Sequence, residues 1–167
     1  MRVYIPVTLA MLQQFVADRV LHARSGTAFA VTPTLRESYA EGDDEELAEV
    51  ARSEAALASL RLLGGEDGGE SGLPPRRAVL EAEVEGATPR PDLDDAVVRL
   101  AGPIAFEDLI AAYVDNADAE AAVRAAIDAI DQADLGDEDA ELTVGDAQDH
   151  DLAWYAPQEL PFLLDLL

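Results

Sequence analysis

Residues 78–85 alternate with a period of two. Ala78, Leu80, Ala82 and Val84 fall on one side, and Val79, Glu81, Glu83 and Glu85 on the other. Such alternation marks a strand with one face on a core and the other in water. A chain that contains it must build a sheet and find something apolar to cover that sheet. The rest of the sequence supplies both.

Val3, Ile5 and Val7 alternate with Arg2, Tyr4 and Pro6 and predict an opening strand, with Pro6 suiting an edge or a terminus. Thr8 is a capping residue for a helix whose apolar positions are Leu9, Leu12, Phe15, Val16 and Val20. Thr27 to Val31 reads as a second strand, so the chain opens with a βαβ pattern. Thr32-Pro33 starts a short helix, with proline where its missing N–H costs least. Asp43 with Glu46 then starts a longer helix that runs to Leu63 and stops at Gly64-Gly65. Its apolar arc holds Leu47, Val50, Ala51, Leu57, Ala58 and Leu62, and Glu54 and Arg61 fall inside that arc. A charged pair so placed is either a buried ion pair or covered by a loop.

Residues 64–75, rich in Gly, Glu and Pro, read as a flexible linker. Ala96, Val98 and Leu100 form a further strand, expected to pair with 78–85 as an antiparallel hairpin. Gly102-Pro103 turns the chain, and 110–114 gives another strand. Asp115 or Asn116 caps a helix from Ala117 to about Ala133, striped by Ala119, Val123, Ala126, Ile127 and Ile130. Residues 134–150 read as an acidic, irregular loop, and Leu152 to Tyr155 as the last strand. The end is helical, with Pro161 in its first turn or at its start. The order is β-α-β-α-α-β-β-β-α-β-α. It predicts one α/β (α+β) domain over 1–167: a single mixed sheet of about six strands packed with helices, two βαβ-like units flanking a hairpin, and flexible loops at 64–75 and 134–149.

Composition removes several chemistries. The chain has no cysteine, and all 11 of its basic residues are arginine. A lysine Schiff base, a P-loop lysine, a thiol nucleophile and a cysteine-ligated metal are therefore excluded. The formal charge is −24, which repels nucleic acid and anionic membranes. Pro6, Thr8, Gln13, Gln14 and Asp18 interrupt any apolar signal-peptide core, and no apolar run is long enough to span a bilayer, so a cytoplasmic protein is expected.

The charge is uneven. Residues 1–40 hold four arginines and two acids, whereas residues 107–167 hold 17 acids and a single arginine, Arg124. This distribution is either a solvated face with an acidic loop or a docking surface for a basic partner.

Few constellations could carry chemistry. Asp149-His150-Asp151, with Trp154 and Glu159 nearby, is the densest set of functional residue types. An Asp beside a His can orient the imidazole for general acid–base work. In a strand, however, 149 and 151 face opposite to 150, which works against a triad, and Trp154 is expected to pack on the core. Asp137, Asp139, Glu141, Asp146 and Asp149 are hard-cation donors in kind, but their spacing is not that of an EF-hand, so no metal site is expected. Ser25, Ser38, Ser53 and Ser59 lack a Gly-x-Ser-x-Gly context, and no Gly-x-Gly-x-x-Gly follows a strand, so no cofactor is expected. Arg36 and Tyr39 on the short helix, with Glu54 and Arg61, could form a polar network. Its functional version is an anion pocket built by Arg36 and Arg61.

The opening Met1-Arg2-Val3-Tyr4-Ile5-Pro6, the run Ala30-Val31-Thr32-Pro33 through Leu35-Arg36-Glu37, and Ala58-Ser59-Leu60-Arg61-Leu62-Leu63 share a pattern with known chains. So, above all, does Asp149 to Leu160. On these segments the sequence resembles an uncharacterised family of small acidic actinobacterial proteins, a domain of unknown function. The family often carries an aromatic residue in place of Ser38 and a threonine in place of Pro157. The resemblance implies no activity. It does imply that the missing lysine reflects GC-rich coding more than salt adaptation, the alternative that composition leaves open.

With no complete catalytic set, the sequence points to a non-enzymatic interaction domain whose acidic C-terminal third docks a basic partner. A small enzyme or ligand-binding protein using His150 with Asp149 or Asp151 is one alternative. A nucleic-acid mimic is the other.

Overall fold

The computed structural model describes residues 1–65 and 72–167. In chain order the elements are β1 (Arg2–Val7), α1 (Leu9–Asp18), β2 (Val20–Leu21), β3 (Thr27–Phe29), α2 (Pro33–Ser38), α3 (Asp44–Gly65), β4 (Ala78–Glu83), β5 (Thr88–Pro89), β6 (Val97–Arg99), β7 (Ile104–Ala105), β8 (Leu109–Asp115), α4 (Glu120–Asp134), α5 (Glu138–Gln148), β9 (Leu152–Tyr155) and α6 (Leu160–Asp165). Helix starts follow local chemistry. The side chains of Thr8, Thr32 and Asp43 accept from the backbone N–H of Met11, Leu35 and Glu46 at 3.2, 3.0 and 2.9 Å, each satisfying a donor that has no partner within its helix. Pro161 lies in the first turn of α6, where it removes no helical bond.

The main sheet has seven strands in the order β5-β6-β3-β1-β4-β8-β9, and β2 pairs separately with β7. Every pairing among the described residues is antiparallel. This corrects the two βαβ-like units. Between α1 and β3 the chain makes an extra leg, β2, then a tight turn with Ser25 and Gly26 at φ 57° and 66°, and β3 enters antiparallel to β1 with Phe29 opposite Tyr4. Between β8 and β9 it makes two helical legs and not one. Residues 138–148, expected as an irregular loop, form α5, whose N-cap Asp137 accepts from Ala140 N–H at 2.9 Å. An even number of helical legs reverses the direction in which β9 arrives.

The expected hairpin between the strands near 80 and 98 does not form. β4 lies between β1 and β8, whereas β6 pairs with β3 and β5. β4 is therefore central, and its polar-looking face is covered: Val79 and Glu81 are buried along with Ala78, Leu80 and Ala82. Of the expected linker at 64–75, residues 66–71 lie outside those described, and Gly64 and Gly65 continue α3 past its expected stop.

Two layers cover the sheet. On one face Val3, Ile5, Val7, Leu80 and Val114 pack against Leu9, Leu12 and Phe15 of α1 and Leu160 and Leu163 of α6. On the other, Tyr4, Phe29, Val79 and Val97 meet Leu35 of α2 and Leu47, Ala51 and Ala55 of α3. Alanines at the α3 contact bring that helix close to the sheet, so an aromatic-poor core still fills its space. Leu60, further along α3, joins Val123, Ala126, Ile130, Val144 and Ala147, which seats the α4–α5 hairpin on α3. No helix among the described residues is long and apolar enough to cross a membrane.

Candidate functional site

The α3 side of the sheet carries an open groove. One part, about 670 Å³, is lined by Arg2, Tyr4, Arg36, Arg52, Glu81 and Tyr113 among others. A second part, about 530 Å³, is lined by Arg52, Arg77, Tyr113, Gln148, His150 and Asp151 among others. Arg52 and Tyr113 belong to both. β1, β4 and β8 set the floor, because Tyr4 registers opposite Glu81 on β4 and Tyr113 stands on the same face of the sheet.

Glu81 is only 6% exposed. It accepts the Tyr113 hydroxyl at 2.8 Å and lies 3.4 Å from the Arg2 guanidinium. Burial, together with this hydrogen bond to a carboxylate, pushes the Tyr113 phenol up to about 12. Burial and the Glu81 charge raise Tyr4 as well. The Arg52 guanidinium sits 5.7 Å from the Tyr4 ring and 5.1 Å from the Tyr113 ring, within cation–π range of both. Its carboxylate contact is Glu49 at 4.0 Å. The Tyr113 hydroxyl and the Glu81 carboxylate are thus held as a donor–acceptor pair, with the Arg52 cation between the two rings.

The second part of the groove is walled by a buried ion pair. Arg77 donates from Nε and Nη2 to Asp115 at 2.9 and 2.7 Å, from Nη1 to Gln148 Oε1 at 2.8 Å, and from Nη2 to the backbone carbonyl of His150 at 2.9 Å. Asp115, expected as a helix cap, is thus the partner of Arg77.

The sequence candidates separate. His150 is half-buried in the groove wall, but among the described residues its ring makes no hydrogen bond to a carboxylate, and no triad forms with Asp149 or Asp151. His150 lies in the turn between α5 and β9, not in the strand. Glu159 accepts from the Ala156 backbone N–H at 2.9 Å and serves the start of the terminal helical turn. Arg36 pairs with Asp44, and Arg61 pairs with Asp134 at 2.9 and 3.1 Å. The expected Arg36–Arg61 anion pocket is therefore not built, since each cation is matched to its own acid on a different part of α3's surroundings. Arg61 holds the Asp134 carboxyl below the usual range. Glu54 is raised by burial and by Asp94, with Arg61 only partly offsetting. Tyr39 is exposed, and Trp154, expected on the core, is 59% exposed on β9. Ser59 is fully buried, donating to the Val7 carbonyl at 2.7 Å and accepting from Ala78 N–H at 3.0 Å, which is a structural role. No three acids or histidines among the described residues gather closely enough to hold a metal ion.

Sequence reasoning missed Arg52, Arg77, Glu81, Tyr113 and Asp115. Arg76-Arg77 directly before the clearest strand was the available signal, since two cations at a core boundary need partners.

The remaining feature is the α4–α5 hairpin. Its exposed acids include Asp128, Asp131, Glu138, Asp139, Glu141 and Asp146. None of these six is in an ion pair among the described residues. Leu135 and Leu142 stand among them at 81% and 70% exposure.

Fold and surface together define an antiparallel α+β protein with an open groove on its sheet and an acidic helical hairpin beside it. The chain belongs to DUF6912, a family of unknown function, whose model matches residues 1–164. No curated protein and no solved structure matches it.

Proposed function

We propose that this protein is a non-enzymatic, cytoplasmic interaction domain whose acidic C-terminal third docks a basic protein partner. The observation that carries the reading is the pair of exposed leucines, Leu135 and Leu142, set among unpaired carboxylates on a folded helical hairpin. An interface would use these leucines as contact area and the surrounding charge for steering and selection. Folding the acids onto α4 and α5 also fixes their positions, which lowers the entropy lost on binding.

Low-salt pull-downs test this. Asp128→Asn, Asp131→Asn, Glu141→Gln and Asp146→Asn together should abolish partner recovery, and Leu142→Ser should weaken it, with helicity retained by circular dichroism. Neutralising Glu45 and Glu46 at the far end of α3 should leave recovery intact. Recovery that ignores the hairpin substitutions overturns the proposal.

The rigid acidic array also supports the nucleic-acid-mimic reading, in which the basic partner is itself a nucleic-acid binder. Displacement of the captured partner by duplex DNA distinguishes that case.

A further inference from the structure

The main sheet ends in two different edges. β5 is protected: it is two residues long, contains Pro89, and is followed by Pro91. A proline at an edge removes a donor and blunts strand addition. β9 has no such device. Leu152-Ala153-Trp154-Tyr155 carries no proline and no charge, and its register with β8 runs unbroken over four pairs. Among the described residues β9 pairs only with β8. Among the described residues no other backbone or side-chain bond reaches the main chain of 152–155. Trp154 lies opposite Tyr113 on the groove face, largely in solvent.

The surroundings of this edge select its occupant. Exposed Asp149 and Asp151 precede β9, and exposed Glu159 follows it. A second copy of the chain would bring these acids against their equivalents and −24 against −24. An added strand with cationic ends would meet carboxylates at both ends of β9, while an apolar residue at its centre would cover Trp154.

We infer that the free edge of β9 is a strand-addition site for an extended protein segment with basic residues flanking a β-branched or apolar centre. This rests on the basic-partner reading above and adds the element that receives the partner. Main-chain hydrogen bonds to Leu152–Tyr155 supply affinity, Trp154 reads the central side chain, and the flanking acids read the charge.

Trp154 is the only tryptophan in the chain, so its fluorescence reports this edge alone. The full chain is titrated with the peptide Lys-Arg-Val-Thr-Val-Thr-Lys-Arg and with its equally charged counterpart Lys-Arg-Pro-Thr-Pro-Thr-Lys-Arg. The first should shift Trp154 emission saturably and slow amide exchange across 152–155, and the second should bind about tenfold more weakly or worse. Trp154→Lys, at an exposed position, should lose the first peptide by amide exchange and remain folded. Equal binding of the two peptides, binding without amide protection at 152–155, or no binding of either overturns the inference. Equal binding that disappears when the α4–α5 acids are neutralised overturns the edge site alone and leaves the basic-partner reading standing.

Discussion

Arg77 and Asp115 form a bidentate ion pair, at 2.9 and 2.7 Å, with both side chains essentially removed from water at 2% and 0% exposure. Asp115 also accepts the Arg77 backbone N–H at 2.8 Å. The guanidinium then reaches Gln148 and the His150 carbonyl, so one side chain ties the start of β4, the end of β8 and the turn into β9. Removing one partner leaves a buried charge without compensation. Arg77→Met is expected to cost about 3–5 kcal/mol, and the Arg77→Met, Asp115→Leu double variant less than the single. Urea denaturation of the three proteins checks this.

Ser59 joins α3 to both β1 and β4 through one hydroxyl. Ser59→Ala leaves the Val7 carbonyl and the Ala78 N–H facing each other without the bridge. The expected loss is about 1–3 kcal/mol, with no change in peptide binding at β9. Equilibrium unfolding measures the first and Trp154 fluorescence the second.

Glu54 and Asp134 shape the acid limb in opposite senses. The Glu54 carboxyl is raised in the folded state by burial and by Asp94, so the native protein holds that proton more tightly and stability falls as pH rises through its range. Glu54→Gln should therefore stabilise at neutral pH, with the gain disappearing on acidification. Asp134 is lowered by its hydrogen bonds to Arg61, so its contribution is present above the unfolded pKa and is lost as pH falls through the folded one. Asp134→Asn should flatten that loss. Urea midpoints of the variants between about pH 3 and 7 separate the two effects.

The Tyr113 phenol should ionise only at about pH 12 in the folded protein. A folded pKa above the unfolded one means that its contribution is full below about pH 10 and declines as pH rises toward 12. Tyr113→Phe should remove a step at about pH 12 from the tyrosinate absorbance titration. It also takes a donor from buried Glu81 and is expected to cost about 1–3 kcal/mol.

Local chemistry was legible in the sequence wherever it was sufficient. Thr8, Thr32 and Asp43 cap where their side chains predict, because a cap needs only the single turn of backbone that follows it. The stripe Val123, Ala126 and Ile130 is buried as its period requires. α5 was missed because its acids concealed a short apolar face, Ala140, Val144 and Ala147, that becomes useful only once α4 offers a surface to cover it.

The alternation at 78–85 determined by itself that a strand forms there. It did not determine what that strand borders. Period two states that side chains point to two faces, not that either face is wet, and only the arrival of α3 on the far side turned Glu81 from a solvent-facing charge into the buried acceptor of Tyr113. The same holds for pairing. Strand identity is written locally in the residues, but direction and neighbours depend on how many helical legs intervene and which faces they must bury. That decision placed β4 at the centre of the sheet and left β9, with Trp154, at its open edge.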